Sequence, residues 1–436
     1  MSDTLSREER PARFRWLPPG LRPPPGPNND VMIWRQEKIF LLVGVAALFA
    51  GFDMNIYGLA VPQIQAGLHI PENQIAPTVS IFRMAAFVAL FIAASADLVG
   101  RRKLLLFTIF GQALFTFATA FAANYEQFVA AQLATRIFGY SEEMLCFVVI
   151  AEEMAAGARG WANGTLGALS YLGAGFASLA FLSINVIPFG WRALYVIGAL
   201  PLFLVAWLRR NLPETSHFAA QEKVESTRSK WTETLSLLSE MLREHPRLLA
   251  TIFIMAAAFG FGIAPASVLS AAYLQNVLHY SPLDVNLVFI PGGLIGLALT
   301  VRAGHLSDRL GRKALTIGVV GLGGAAFGVF YSGIGGWLVP PVWALAFFGF
   351  LCGDALVSGY AIEIMPTRYR ATVSGLRYLV NIGAGAFSLL LEGRLYDHFH
   401  AHGPAVQLLL CSMPIAMLAM LFLPEPAGKK LEDISA

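Results

Sequence analysis

Charged residues are scarce in this sequence. They make up 14% of its 436 residues, whereas hydrophobic residues make up 56%. Soluble globular chains carry roughly 25% charged residues, so this composition argues against a large soluble enzyme. It also excludes disorder over most of the chain, because the apolar content is too high.

Cysteine is nearly missing as well. The three cysteines, at 146, 352 and 411, have no CxxC or other metal-binding spacing, which excludes a disulfide framework and a zinc site of the usual kind. The sequence also lacks the HExxH, GxSxG and phosphate-loop motifs, so we do not expect an enzyme. His398, His400 and His402 could together ligate a metal ion, but a flexible loop is a poor site and we expect no resident metal.

Long apolar runs dominate what is present. A bilayer core of about 30 Å requires about 20 apolar residues per helix, and this template predicts an all-α membrane protein with twelve transmembrane helices. In the first half they lie at about 38–60, 75–96, 103–122, 127–151, 162–186 and 192–208. In the second half they lie at about 248–274, 284–303, 314–333, 338–362, 371–392 and 404–423.

The distribution of lysine and arginine predicts the orientation. These residues cluster in alternate loops, whereas the loops at 61–74, 123–126, 275–283 and 334–340 contain none. Because basic loops stay inside, both termini are predicted to be cytoplasmic. The predicted divisions are a disordered cytoplasmic tail (1–37), a first six-helix half (38–208), a cytoplasmic linker (209–247), a second half (248–425) and a second cytoplasmic tail (426–436).

The two halves repeat at an offset of 211 residues. Asp97 is matched by Asp308, Glu152 by Glu363, and the segment Leu212-Pro213-Glu214 by 423–425. The same offset holds without gaps over more than 110 residues. Two parallel halves related by an axis normal to the membrane are a known plan of transporters, with the substrate site between the halves at mid-membrane.

The repeated loop carries a family resemblance. The segment 304–313, with its Gly-x-x-x-Asp-x-x-Gly-Arg-Lys pattern, resembles the signature of the major facilitator superfamily, and the first copy has Ala93 in place of the leading glycine. The resemblance covers residues 38–425. It implies the major facilitator fold, with two pseudosymmetric six-helix halves, and transport by alternating access.

The charges of this motif suggest a gate. A carboxylate at a helix end, with arginines one turn away, can cross-link neighbouring helices and so hold one state of a two-state protein. We expect a cytoplasmic gate formed by Asp97, Arg101, Arg102, Glu152, Arg159, Asp308, Arg312, Glu363 and Arg370.

Ionisable residues inside predicted spans are costly and point to function. Asp53 and Arg136 lie at comparable depth in spans that are adjacent in this superfamily, so a pair between them is expected. Asp53 is the first candidate for proton coupling, because burial and a nearby cation act in opposite directions on its proton affinity. Further candidates are Glu143 and Asp354, which are equivalent in the repeat, and Glu142.

Arginines in the spans suggest the class of substrate. Arg377 and Arg83 have no helical neighbour of opposite charge, and a guanidinium fork binds both oxygens of a carboxylate. We therefore expect a small organic anion as substrate. The candidate substrate-binding residues are Arg136, Arg377, Arg83, Tyr57, Asn55, Tyr140 and Tyr360.

The segment Gly51-Phe52-Asp53 resembles the aromatic-acid and related metabolite–proton symporters, although Ala50 replaces their first aspartate. Sugar porters are the first alternative, but residues 248–274 lack the glutamine pair expected of them and His217 stands where their loop has arginine. A drug or organic-cation antiporter is the second alternative, although 162–186 lacks proline. A receptor that binds without transport is a third.

The sequence as a whole predicts a proton-coupled importer of a small organic carboxylate, acting as a monomer in the bacterial inner membrane. Its partners are expected to be the substrate, protons and the lipid bilayer, without nucleic acid. The proton gradient serves as the driving force, and no cofactor is expected.

Overall fold

Helices form the regular structure of the chain. The computed structural model describes residues 22–23, 33–154, 158–210, 240–366 and 368–425. The helices are α1 (Trp34–Leu68), α2 (Ile75–Ala94), α3 (Ala96–Val99), α4 (Arg101–Thr119), α5 (Tyr125–Glu153), α6 (Arg159–Phe181), α7 (Trp191–Arg209), α8 (Pro246–Val268), α9 (Ser270–Asn276), α10 (Pro282–Leu310), α11 (Arg312–Phe330), α12 (Val339–Glu363), α13 (Arg370–Phe399), α14 (His402–Leu410) and α15 (Met413–Leu421).

Every predicted span overlaps a helix of the structure, but the predicted count of twelve is not confirmed. Within the described residues, ten helical segments are long and apolar enough to cross a membrane. Helices α4 and α5 stand where the third and fourth spans are predicted, and they are not among the ten. Both carry polar residues at buried positions, including Gln112 on α4 and Arg136 and Glu142 on α5, which lowers their overall hydropathy.

Two of the predicted spans are each divided into two helices. The seventh continues from α8 into α9 after Val268, shortly after Pro265, and the twelfth is divided between α14 and α15 just before Pro414. Proline lacks a backbone N–H and its ring crowds the preceding turn, so a helix bends or ends near it.

The chain forms two compact units. Unit 1 comprises residues up to Tyr57 and from Ala85 to Thr227, and unit 2 comprises Gly58–Met84 and residues from Arg228 onward. The boundaries fall inside helices, because α1 continues through Tyr57 into Gly58. The connection between α1 and α2 therefore belongs to unit 2, whereas the sequence repeat assigns it to the first half.

The two units share a packing scheme. In unit 1, α4 packs against α5 and α7, and in unit 2, α11 packs against α12 and α15. These helices are equivalent in the 211-residue repeat, so the repeat extends from the sequence to the structure. Because lipid is as apolar as a protein core, close contact between helices supplies much of the stability of such units.

Glycine permits a very close contact between α11 and α12. Gly323 of α11 faces Gly349 of α12, and a Cβ added at Gly323 would lie 2.8 Å from the Cα of Gly349. A Cβ at Gly349 would overlap the Cα of Gly323. The backbones therefore approach to a distance that no other residue allows.

The described end of the predicted linker docks on the loop before α13. The guanidinium of Arg368 donates to both carboxylate oxygens of Glu240, at 2.7 and 2.9 Å. The Tyr369 hydroxyl donates to Glu244 over 2.8 Å, and this bond raises the pKa of Tyr369 to about 12. These contacts attach the described end of the linker to the loop before α13.

We expect Gly349→Ala to destabilise the protein by about 1–3 kcal/mol, because overpacking forces the facing backbone to move. The matched control is Gly359→Ala on the same helix, where a Cβ meets no atom within 4 Å. Thermal unfolding in detergent should give a lower midpoint for the first variant only. Equal midpoints for the two variants would contradict the close approach of α11 and α12.

Candidate functional site

The carboxylate of Asp53 is completely buried in the middle of α1, in unit 1. The hydroxyl of Thr116 on α4 donates a hydrogen bond to Asp53 Oδ1 over 3.2 Å, and Arg136 on α5 acts on the carboxylate electrostatically. The structure therefore brings together the two residues that the sequence predicts to be neighbours. A carboxyl group in such a place can change its proton occupancy when the cation beside it moves.

Arg136 is held from several sides. Its side chain is almost fully buried, and Nη1 donates to the backbone carbonyl of Met54 over 3.2 Å and contacts the Met54 sulfur. Nη2 lies 3.5 Å from the side-chain oxygen of Gln132, one turn earlier on α5. These contacts hold the Arg136 guanidinium beside Met54, the residue that follows Asp53.

A second buried pair in unit 1 joins Glu142 of α5 to Arg209, the last residue of α7. The Arg209 Nη1 bonds to Glu142 Oε1, and Nη2 donates to the backbone carbonyl of Leu42 over 3.1 Å. The Thr108 hydroxyl donates to Glu142 Oε2 over 2.6 Å, and the Cys146 thiol donates to Oε1 over 3.3 Å. This network links α1, α4, α5 and α7.

Sequence reasoning missed this network. It placed Arg209 at the start of a polar linker, whereas Arg209 is completely buried. It also named Glu142 as a proton-coupling candidate; in the structure the Glu142 carboxylate contacts Arg209, Thr108 and Cys146. The sequence did contain a signal for this pair. Arg209 directly follows an apolar span, and Glu142, a carboxylate with no partner predicted from the sequence, lies at similar depth in another span.

Glu143 has different surroundings from its neighbour. Successive helical residues point about 100° apart, and Glu143 is exposed where Glu142 is buried. Seven residues separate Arg136 from Glu143, so both lie on one face of α5, as the sequence predicts.

In unit 2, Arg377 has an acidic neighbour on another helix. Arg377 is 4% exposed, and its Nη1 lies 3.7 Å from Oδ1 of Asp354 on α12. That distance is too long for a hydrogen bond. The Nε and Nη1 atoms of Arg377 make no hydrogen bond to the described residues. Arg83 lies in the same unit and packs against Gly385 of α13.

The remaining predicted binding residues have diverse surroundings. Tyr360 is buried in unit 2, and its hydroxyl donates to the carbonyl of Pro424 over 2.7 Å, so its polar group already has a partner. Tyr57 is buried against the ring of Phe128 in unit 1. The side chain of Asn55 donates to the Gly51 carbonyl one turn earlier. Tyr140 is half-buried on α5.

Equivalent ion pairs occur in the repeated motif of each unit. In unit 1, Nη2 of Arg101 lies 2.9 Å from Oε1 of Glu152. In unit 2, Nε of Arg312 lies 2.5 Å from Oε2 of Glu363. In both copies the glycine before the arginine has a positive φ, at 98° for Gly100 and 92° for Gly311. Each pair joins the start of one helix to the end of another, which is the geometry required of a cross-link.

The other predicted gate residues divide into two groups. The Nε of Arg370 donates to the carbonyl of Met365 over 3.0 Å, and Arg102 is exposed and bonds to the carbonyl of Arg210. The side chains of Asp97, Arg159 and Asp308 lie outside the part of the structure that is described.

A glutamate missed by sequence reasoning supports the second copy of the motif. The carboxylate of Glu425 accepts hydrogen bonds from the backbone N–H groups of Arg312 and Lys313, at 2.9 and 3.0 Å. A carboxylate at a helix N-terminus satisfies free N–H groups and the helix dipole together. In addition, the side-chain amine of Lys313 donates to the backbone carbonyls of Leu421 and Leu423.

The three C-terminal histidines do not form a metal site. His402 turns inward and contacts Glu392 and Glu72, while His398 and His400 are exposed. Among the described residues, no group of three or more His, Cys, Asp or Glu side chains could hold a metal ion.

Apolar helices with buried charges inside two repeated units define a multi-pass membrane transporter. Residues 43–389 match the Major Facilitator Superfamily, and the chain belongs to this family. It is a transporter and not an enzyme, in agreement with the sequence prediction.

Curated relatives carry the names of metabolite transporters. A protein of Cupriavidus pinatubonensis named "Probable 4-methylmuconolactone transporter" is 25% identical over 421 residues, which cover 92% of this chain and 93% of the relative. The sialic acid transporter NanX of Escherichia coli is 22% identical over 416 residues, covering 92% of this chain and 96% of the relative.

Solved structures show the same fold. A crystal structure of a D-xylose–proton symporter aligns with a TM-score of 0.73 at 18% identity, covering 90% of this chain and 99% of that one. At this identity the similarity establishes the fold alone, and the major facilitator fold predicted from the sequence is confirmed.

We expect Glu142→Gln to destabilise the protein by about 3–5 kcal/mol, because it leaves the Arg209 charge buried without a counter-ion. Glu143→Gln removes a carboxylate one residue away and should change stability little, since Glu143 is not part of the network around Arg209. The thermal midpoint and the monodisperse yield in detergent provide the comparison. Similar losses in both variants would argue against a special role of the Glu142–Arg209 pair.

Proposed function

We propose that the protein is a proton-coupled secondary transporter that imports a small organic carboxylate by alternating access. The observation that carries this proposal is the completely buried Asp53 with a guanidinium beside it. Titratable groups within a membrane span mark proton and ion pathways. In this proposal the protein acts as a monomer in the bacterial inner membrane, with both termini in the cytoplasm.

Asp53 would carry the coupled proton. While Arg136 stays beside it, the cation lowers the proton affinity of the carboxylate and opposes the effect of burial. When a change of state separates the two groups, burial favours the protonated form. A proton taken up in one state is then released in the other, which ties each proton to one transport cycle. Glu143 and Asp354 remain candidates for a second protonation step.

Arg377 would bind the substrate carboxylate. It is a buried cation whose Nε and Nη1 have no hydrogen-bond partner in the described residues, and its counter-ion Asp354 is at 3.7 Å. Unsatisfied buried donors are costly, and a carboxylate ligand would satisfy two of them. The name of the sialic acid transporter among the relatives supports an organic acid as cargo.

The ion pairs Arg101–Glu152 and Arg312–Glu363 would act as the cytoplasmic gate. Each joins two helices of its own unit next to a loop of the repeated motif. We propose that their strength contributes to the balance between the two states of the transport cycle.

Asp53→Asn should abolish accumulation driven by a pH gradient and retain exchange of substrate across the membrane, because an amide cannot carry the proton. Uptake of a panel of organic acids, sialic acid included, is measured in liposomes with and without the gradient. Glu126→Gln, an exposed change on α5, is the control and should behave as wild type. Full gradient-driven uptake by the Asn variant would remove Asp53 from coupling.

Arg377→Ala should weaken carboxylate binding about tenfold or more, since a hydrogen bond to a charged group contributes about 1.5–3 kcal/mol. Arg377→Lys keeps the charge without the planar fork and should restore part of the affinity. Arg394→Ala, at an exposed position of the same helix, is the control. Thermal stabilisation by an acid, compared with its amide, reports binding, and unchanged affinity in the Ala variant would place the anchor elsewhere.

A further inference from the structure

Unit 2 contains a buried histidine between two carboxylates. The ring of His402, at the start of α14, places Nδ1 at 2.7 Å from Glu392 Oε1 and Nε2 at 3.2 Å from Glu72 Oε1. Glu392 is completely buried and His402 is 3% exposed, whereas the Glu72 side chain is 24% exposed. The cluster therefore has one member in contact with solvent.

The geometry requires an additional proton. A neutral imidazole has one N–H and one lone pair, so it can donate to only one of two carboxylates. The other carboxylate would then face a lone pair. Hydrogen bonds on both sides require one more proton, held either as an imidazolium or as a carboxylic acid, and the cluster then carries a net charge of −1. Loss of that proton raises the negative charge and breaks one bond.

Glu72 connects the cluster to the segment between α1 and α2. It lies in the short 3-10 turn Glu72–Gln74. The side chains of Gln65 and Asn276 both donate to its carboxylate, and Asn73 donates to Asp397 over 2.8 Å. These bonds and the contact with His402 attach the segment to α9, α13 and α14.

Other groups around the imidazole are phenolic or acidic. The ring of Tyr396 packs on the ring of His402 with centroids 4.5 Å apart, and Tyr331 at the end of α11 interacts electrostatically with Glu392. Asp397 adds a further negative charge near Tyr396. Such surroundings favour retention of a proton in the cluster.

The fold does not require polar residues at these positions. The places equivalent to Glu392 and His402 in the first half hold Phe181 and Trp191, both buried apolar side chains. A buried charged cluster costs desolvation that an apolar pair does not. Because the charged cluster is present in just one of the two halves, it indicates a function other than packing.

We propose that Glu72, His402 and Glu392 form a proton-binding site whose occupancy fastens the α1–α2 connection to the rest of unit 2. The ligand is a single exchangeable proton, which enters through the partly exposed Glu72. When the proton leaves, one of these attachments is lost and the connection is held less firmly. This site is separate from the proposed coupling at Asp53, and it rests on the geometry of unit 2 alone.

Hydrogen exchange of residues 65–76 in the purified full-length protein, without substrate or gradient, tests the proposal. After correction for the intrinsic pH dependence of exchange, protection in wild type should fall roughly tenfold as the pH rises from 5 to 9, because one charged hydrogen bond is lost. Protection that does not change over this range would overturn the proposal.

Two amide variants test the proton count. In Glu392→Gln, the amide donates to His402 Nδ1 while Nε2–H donates to Glu72, so both bonds form without an additional proton. Protection should therefore stay high and independent of pH. The Glu72→Gln protein should fold readily, because the substituted position is partly exposed. We expect it to show the same loss of pH dependence.

His398→Gln is the matched control, since it removes an exposed imidazole four residues from His402. It should keep the wild-type pH dependence. A pH step that persists in both amide variants, or one that disappears in His398→Gln, would assign the titration to other groups and overturn the proposal. Because no transport is measured, failure here would leave the proposed transport function unaffected.

Discussion

An ionised side chain away from water has to be matched by opposite charge or by hydrogen bonds, because its desolvation costs several kcal/mol. In a chain with so few charges, this constraint organises each unit. It holds α7 against α5 through Arg209 and Glu142, and it places Asp53 and Arg136 close together. At Arg377 the match is incomplete, because Nε and Nη1 make no hydrogen bond to the described residues, and the proposed substrate carboxylate would complete it.

Features that depend on local composition or on the repeat could be predicted from the sequence. The positions of the helices follow from apolar runs, since a span requires a fixed length. The presence of Arg101, Glu152, Arg312 and Glu363 in one set of charges follows from recurrence, because acids have no topological reason to repeat, whereas their particular pairing came from the structure. The superfamily itself was evident from the repeated loop.

Features that depend on long-range contacts could not be predicted. Arg209 and Glu142 are 67 residues apart, and Glu72 and His402 are 330 residues apart, so no helical periodicity relates them. The count of spans is not confirmed for a related reason: α4 and α5 carry polar side chains whose partners lie on other helices. The unit boundary inside α1 also could not be predicted from composition, since the helix is apolar on both sides of Tyr57.

The buried network of unit 1 has an apolar counterpart. At the positions of unit 2 equivalent to Glu142, Arg209, Thr108 and Cys146, the chain has Gly353, Met420, Val319 and Val357. The space at the glycine is occupied by the ring of Phe259. Directional bonds admit one register between helices, whereas contacts among methyl, thioether and aromatic groups tolerate small sliding and repacking. At these four positions, therefore, unit 1 sets the register of its helices with directional bonds, whereas unit 2 relies on apolar contacts that can slide.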